Sequence, residues 1–318
     1  MSLRPLAVVL VVQILIGIGL VVWGLQGFPL PGGGDDVRGQ ASAATSREWK
    51  VNRFDADRAF RLTAFQTEQI GPRPAGSQAS RRLRDFLVER VPRGRTEAVS
   101  DGRPSDPPLY NVVGHIPGRK PAILIGAHYD TEARPVGHLG ANDGAAGSAV
   151  VLELARQLDR RSAPEDPSRR REIRFVLFDG EEEPAGCESF IECGLRGSRA
   201  YAERHADDIG DMVLLDYVGN RDLALPREGN SHRALWDRLR AAARRVGTLD
   251  YFPPAPAGYS IVDDHIPFLE EGVRAIDLID FSYEHRDTLQ DTLDKISPRS
   301  LDAVGETVLS LVLEMRRR

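Results

Sequence analysis

The sequence predicts an α/β sandwich with a largely parallel sheet, and three observations carry that expectation. Short β-type runs alternate with helical stretches along a chain of 318 residues. Several of those runs end in acidic or histidine residues, as strand ends do when they frame a ligand crevice. An apolar content of 41% suffices for a full core. No internal repeat is visible, and no break in composition after residue 46 marks a further domain. The net charge of −5 gives no basic face for neutralising phosphates, so nucleic acid is not an expected partner. The arginine-dense stretch RRSAPEDPSRRR is interrupted by acid and proline and reads as a solvated loop.

Taken in order, residues 5–25, PLAVVLVVQILIGIGLVVWGL, carry no charge and as a helix would extend about 30 Å, one bilayer core. Residues 1–25 are therefore expected to be a transmembrane anchor or signal segment. An uncleaved anchor is the favoured form, because GFPLPGGGDD separates the apolar run from the small-residue site ASA. A buried core helix fits poorly, since the segment is apolar on all sides. Residues 26–46, rich in Gly, Pro, Ala and Ser, predict a flexible linker. Residues 47–318 are expected to form one domain, membrane-anchored and periplasmic or extracellular. Cys187 and Cys193 are the only cysteines. In an exported protein their spacing predicts a local disulfide, and two zinc thiolates would lack neighbouring partners.

Within that domain, residues 55–71 and 77–91 carry apolar residues at helical spacing. Strand-like runs follow: NVVGHI, AILIGA, IRFVLF, MVLLDYV and RAIDLID. Helical stretches such as SAVVLELARQL and RALWDRLRAAARRV lie between them. The run AILIGAHYDT ends in His128 and Asp130, IRFVLFDGEEE in Asp179 and Glu181 to Glu183, and MVLLDYVG in Asp216. The strand-to-helix loop GANDGAAGS adds Asp143.

Each of these motifs alone has an ordinary explanation. HYD at a strand end reads as a hydrogen-bonded surface histidine, and GEEE as a solvated acidic turn. Together they are harder to dismiss, because gathering His128, Asp143, Glu182 and Asp216 in one crevice would set carboxylates repelling one another unless a cation lay among them. Imidazole and carboxylate are donors that zinc accepts, and the set could hold one or two divalent ions.

With these residues in place, the chain resembles the co-catalytic zinc aminopeptidases of metallopeptidase family 28, which share their fold with glutaminyl cyclases. The likeness runs through IGPRPAGS, NVVGHIPG, GAHYDT, GANDGAAGSAVVLELAR, FVLFDGEE, GLRGSRAYA, LLDYVGN, DDHIPFLEEGV and DTLQDTLDKISPRSL, in the family's order. The resemblance implies a three-layer α/β/α sandwich around a mixed, mostly parallel sheet, with residues 47–318 as the catalytic domain. It implies two divalent ions, zinc in type. His128 and Asp216 would hold one, Glu182 the other, and Asp143 would bridge them. Glu181 would be the general base, free to take a proton from an activated water. Glu183 falls where the family tolerates small polar residues. A cis peptide between Asp143 and Gly144 is also implied.

The last ligand is where the chain departs from the family. Relatives supply a histidine, preceded by tryptophan, shortly before an Asp-Thr pair. Here the ungapped position holds Asp287, Arg286 stands in place of the tryptophan, and the histidine, His285, lies two residues earlier. Asp287 is the favoured ligand, with His285 as the alternative if the loop reshapes. Carboxylate oxygen binds zinc at a distance similar to imidazole nitrogen. Asp263, in VDDHIPF, is a candidate for a proton-sharing network near the base by likeness to the cyclases, or else a helix N-cap. Glu228 could face substrate, whereas His138 and His205 read as exposed histidines.

The expected activity is an extracytoplasmic metallo-aminopeptidase acting on a peptide or small amino-acyl substrate and attached to the membrane through its N-terminal helix. Glutaminyl-peptide cyclisation and a catalytically silent, partner-binding ectodomain are the alternatives.

Overall fold

The structure is a computed structural model that describes residues 49–100, 108–162, 166–187 and 189–317. The expected membrane span at 1–25 and linker at 26–46 lie outside these residues. Among the described residues, no helix is long and apolar enough to cross a membrane. The longest, Pro298–Met315, carries Arg299, Asp302, Glu306 and Glu314. The expectation is corrected accordingly: the described chain is a mixed, mostly parallel α/β sandwich, and it supports no transmembrane helix, signal anchor, membrane partner or membrane-anchored localisation.

Six strands form one sheet: β1 (Arg95–Ala98), β2 (Tyr110–Ile116), β3 (Arg119–His128), β4 (Arg171–Phe178), β5 (Ile209–Asp216) and β6 (Arg274–Ile279). Their order is β1-β2-β4-β3-β5-β6. The four strands β4, β3, β5 and β6 are parallel, while β2 pairs antiparallel with both β1 and β4. Only Pro117 and Gly118 separate β2 from β3, yet the two do not pair, because β4 inserts between them.

Helices cover both faces. On one lie α1 (Ala56–Ala64), α2 (Gln78–Val88), α3 (Gly147–Ser162), α6 (Arg233–Val246) and α8 (Pro298–Met315). On the other are α5 (Arg196–His205) and α7 (Ile266–Glu270), and the short α4 (Phe190–Cys193) precedes α5 in the chain. The helix starts follow from the sequence: Asp55 caps α1 by accepting from the Arg58 amide at 2.9 Å, and Ser77 caps α2 by accepting from Ser80 at 3.0 Å.

The pleat sorts the strand residues between the two cores. Ile123, Ile125, Phe175, Leu177, Val213, Leu215, Ile276 and Leu278 face the larger helical layer. Their neighbours Leu124, Val176, Phe178, Met212, Leu214 and Ala275 face the smaller. Strands buried on both faces read as unbroken apolar runs, which is why they were visible in the sequence. Cys187 and Cys193 are joined in a disulfide, as their spacing predicts.

Candidate metal centre

Parallel strands bring their carboxyl ends to one edge of the sheet, and the central strand β3 places His128 there between the ends of β4 and β5. His128 is the last residue of β3 and Asp216 the last of β5. Glu181 and Glu182 follow the end of β4. Asp143 enters from the segment Ala141–Ala146 that leads into α3. All five are buried.

The imidazole is the hub of this cluster. Its Nε2 lies 3.1 Å from Asp143 Oδ1 and 3.4 Å from Asp216 Oδ1, and its Nδ1 lies 3.8 Å from Asp130 Oδ1 and 3.9 Å from Glu181 Oε2. Neither ring nitrogen makes a well-aligned hydrogen bond. Two tight groups with metal-ligand potential result: His128 with Asp143 and Asp216, and His128 with Glu181 and Glu182.

Second-layer contacts fix these side chains. Asp130 accepts the Glu181 amide at 3.2 Å and the Glu182 amide at 3.3 Å, locking the turn after β4 to the end of β3. Asp291 accepts the amides of Asn142 and Asp143 at 3.0 Å and the Tyr283 hydroxyl at 2.9 Å. The Asp143–Gly144 peptide, expected to be cis, is trans; the cis bonds among the described residues precede Pro121 and Pro135. The turn is made instead by Gly144 at φ 79°, where a Cβ would stand 2.9 Å from the Asp130 carbonyl oxygen and 3.0 Å from the His128 ring.

The electrostatics follow from burial. Burial alone would lower the His128 pKa, but Asp130, Asp143 and Asp216 outweigh it and hold the imidazole well above its ordinary range. Burial pushes Asp143 up, and the His128 contact overrides this to leave it at about 2. Asp216 is pushed up to about 7 by burial, against the pull of His128. Glu181 and Glu182 lie well above the usual carboxylate range, each chiefly through burial. So many carboxylates around one base call for more positive charge than the protein supplies.

A divalent ion fits this need and this geometry. Tetrahedral zinc with bonds near 2.1 Å holds its ligand atoms roughly 3.4 Å apart, close to the two Nε2 contacts of His128. The donor set of one imidazole and several carboxylates suits zinc or a slightly harder ion. Tyr217 supplies a second sign. Its single hydroxyl proton faces two carboxylates, Asp143 Oδ2 at 3.1 Å and Asp287 Oδ1 at 3.0 Å, and can serve only one at a time.

Asp287 and His285 part company here. Asp287 lines the cavity of about 410 Å³ above the cluster, together with Asp143, Glu181, Glu182, Asp216 and Asp263. It belongs to neither tight group but joins Asp143 through Tyr217. His285 lines a neighbouring cavity of about 380 Å³ beside Tyr283, its Nε2 3.3 Å from Glu284. Asp263 lines the cluster's cavity and accepts its neighbour's amide rather than capping α7.

Other sequence readings shift. His138, expected to be exposed, is fully buried, 3.8 Å from Glu132 and 3.9 Å from Asp291, because the loop carrying it folds inward over Arg73. His205 is half-buried and 2.6 Å from Glu97. Glu228 is buried against His265 at 3.5 Å and does not line the cavity. Sequence reasoning missed Arg73, which is fully buried and donates to the carbonyls of Tyr129, Leu139 and Gly140 at 2.9, 2.6 and 3.0 Å. Its signal was a lone arginine inside the GPRP motif. Tyr217, one residue beyond a named ligand, was also missed, and Asp130, read as a strand-end acid, was given no role.

A model of peptidase family M28 matches residues 111–312. The chain belongs to that family. Within the wider M28 and glutaminyl-cyclotransferase superfamily, it is 27% identical over 237 residues to the glutaminyl-peptide cyclotransferase of Bothrops jararaca, covering 62% of this chain and 63% of that protein. The match therefore spans less than two thirds of that relative's length. Among solved structures, the chain is similar to Acidobacteriales bacterium glutaminyl cyclase, with TM-score 0.72, 27% identity, and coverage of 88% of this chain and 100% of that one. A leucine aminopeptidase precursor from Bacteroides thetaiotaomicron is similar at TM-score 0.71 and 26% identity, covering 83% of this chain and 98% of its own. Family membership and the His/Asp/Glu groups together point to a divalent-metal centre at this sheet edge.

Proposed function

We propose that this chain is a metal-dependent enzyme acting on peptide termini, a glutaminyl-peptide cyclotransferase. The similar proteins named for that activity support the reading. The observation that carries it is the placement of Glu181 and Asp263 as two buried carboxylates on one cavity wall. Cyclisation is attack of an N-terminal amine on the side-chain amide carbon of glutamine, with loss of ammonia. It needs no water, only a group that takes a proton from the amine and returns one to the leaving nitrogen.

Glu181 suits that task. Burial raises its carboxyl well above the ordinary range, Asp263 adds to the rise, and His128 opposes it. Asp130 fixes its backbone, so the carboxylate can pass a proton without moving the turn. Ions held by His128, Asp143, Glu182, Asp216 and Asp287 would supply Lewis acidity toward the reacting carbonyl. Tyr217, Phe281 and Ile279 line the same cavity and give the substrate stem an apolar wall.

A second reading, the aminopeptidase, has its own support. His128, Asp143 and Asp216 make a complete corner for a second ion, and Arg286 and Asp287 occupy the place of the tryptophan and histidine that relatives carry. Incubating zinc-loaded protein with an N-terminal glutamine peptide and with leucine anilide decides between them. Pyroglutamyl product with ammonia release supports the cyclase, and amino-acid release without it overturns that assignment in favour of the peptidase.

A further inference from the structure

Eight carboxylates line the cavity over the cluster, and among the described residues its one basic lining side chain is Arg286. Such a wall suits a substrate ammonium and leaves a substrate carboxylate a single place to go. The Arg286 guanidinium is held on two sides. Its Nε donates to Asp287 Oδ2 at 3.0 Å, its Nη1 donates to the Phe281 carbonyl, and its central carbon lies 3.8 Å from the centroid of the Phe281 ring. Nη2 has no hydrogen-bond partner among the described residues, and the side chain is 30% exposed. The terminal edge of the guanidinium, Nη2 with the second Nη1 hydrogen, is therefore a fixed two-pronged donor of the geometry that carboxylates match.

The position relative to the reacting centre is also set. Asp287 receives Arg286 on one oxygen and Tyr217 on the other, and the same Tyr217 hydroxyl reaches Asp143. Arg286 thus stands one carboxylate and one hydroxyl away from the cluster, on the lining of the same cavity. Stacking on Phe281 keeps the guanidinium planar against the wall instead of free in solvent.

We propose that Arg286, stacked on Phe281, forms a carboxylate-binding subsite that makes the enzyme prefer peptides with a carboxylate on the second residue. That carboxylate is either the C-terminus of a dipeptide or an acidic side chain. The inference rests on the reading that the cavity receives a peptide N-terminus, but not on which reaction follows.

Titration calorimetry on the zinc-loaded full chain carrying Glu181→Gln, which slows turnover enough to measure binding, tests it. Gln-Gly is compared with Gln-Gly-amide, and Gln-Glu-amide with Gln-Gln-amide. The carboxylate member of at least one pair should bind tenfold tighter or better. The first pair reports the C-terminal source and the second the side-chain source. Adding Arg286→Gln should bring the ratio close to one, and Arg286→Lys should keep part of it. Each ratio is taken within one protein preparation, so a loss of folded fraction cancels. Ratios near one in the parent, survival of the preference in the Arg286→Gln protein, or no measurable binding of either carboxylate peptide overturns the proposal. Failure of the cyclase reading shows separately, as absence of pyroglutamyl product from the unmodified enzyme.

Discussion

Tyr217 and Asp287 meet through a hydrogen bond of 3.0 Å, and both hold backbone conformations that L-residues seldom adopt, with φ of 45° and 59°. Strain of this kind costs about 1–3 kcal/mol per residue and persists where the surroundings enforce it. Here it turns the tyrosine hydroxyl and the carboxylate toward Asp143 from two different loops.

Tyr217→Phe removes the hydroxyl that lies between Asp143 and Asp287. Zinc affinity should fall about 10–100-fold, the effect expected of losing an outer partner of metal ligands. Competition titration against a chelating dye measures it, and unchanged affinity would mean that the hydroxyl does not organise the site.

His285 and Asp287 can be told apart directly. With His285 in a different cavity, His285→Ala should leave zinc content within twofold of the parent. Asp287→Ala should lower affinity at least tenfold on the order expected for a lost ligand or close partner. Elemental analysis after gel filtration gives the first number and competition against a chelating dye the second, and the opposite ranking would move the ligand to His285.

Glu181→Gln keeps the side chain's shape but not its basicity. Turnover should drop about 10²–10⁴-fold, the usual contribution of a general base, with zinc content retained. Near-normal turnover would assign the proton transfer elsewhere.

Arg73→Ala leaves the carbonyls of Tyr129, Leu139 and Gly140 without their buried donor. The loss should be on the order of 3 kcal/mol or more, lowering Tm by roughly 5–10 °C. Arg73→Lys should not rescue it, since an ammonium lacks the planar fork that reaches several acceptors. A melting curve within a degree of the parent would contradict this role.

Asp302 gives a pH signature away from the metal cluster. Burial pushes its carboxyl from 3.8 up to about 6, opposed by the 2.6 Å hydrogen bond from the Trp49 indole and reinforced by Glu306. The folded chain therefore binds this proton more tightly than the unfolded one. Its contribution is fully present below about pH 4 and is lost as pH rises through about 6. Because the group is partly exposed, the amount is on the order of 1 kcal/mol. Asp302→Asn should flatten the stability curve in that window, as followed by urea denaturation at stepped pH.

The strands that carry the centre were legible because burial on both faces wrote them as apolar runs with acids at their ends. His128, Glu181, Glu182 and Asp216 could be placed at one sheet edge on that ground alone. β1 could not, since RTEA is short and largely exposed and carries no alternation. The antiparallel seat of β2 was hidden for another reason: a two-residue connection to β3 gives no hint that β4 will come between. Asp291 and Arg73 act on backbone groups, and such contacts leave no periodic trace in a sequence. Glu228 and Asp263 lie only residues from a turn or a helix start, where a cap and a site residue look the same until side-chain directions are known.

Asp130 holds the amides of both Glu181 and Glu182 while sitting two residues beyond His128, so the ends of two strands are pinned by one carboxylate. The Glu181 and Glu182 amides are thereby held from the His128 strand, while the residues just after the disulfide loop hold the same turn through the Gly180, Glu181 and Glu182 carbonyls. Phe190, inside that loop, lines the cavity, so exchanges confined to its side chain would change the wall while the turn keeps its anchors on both sides.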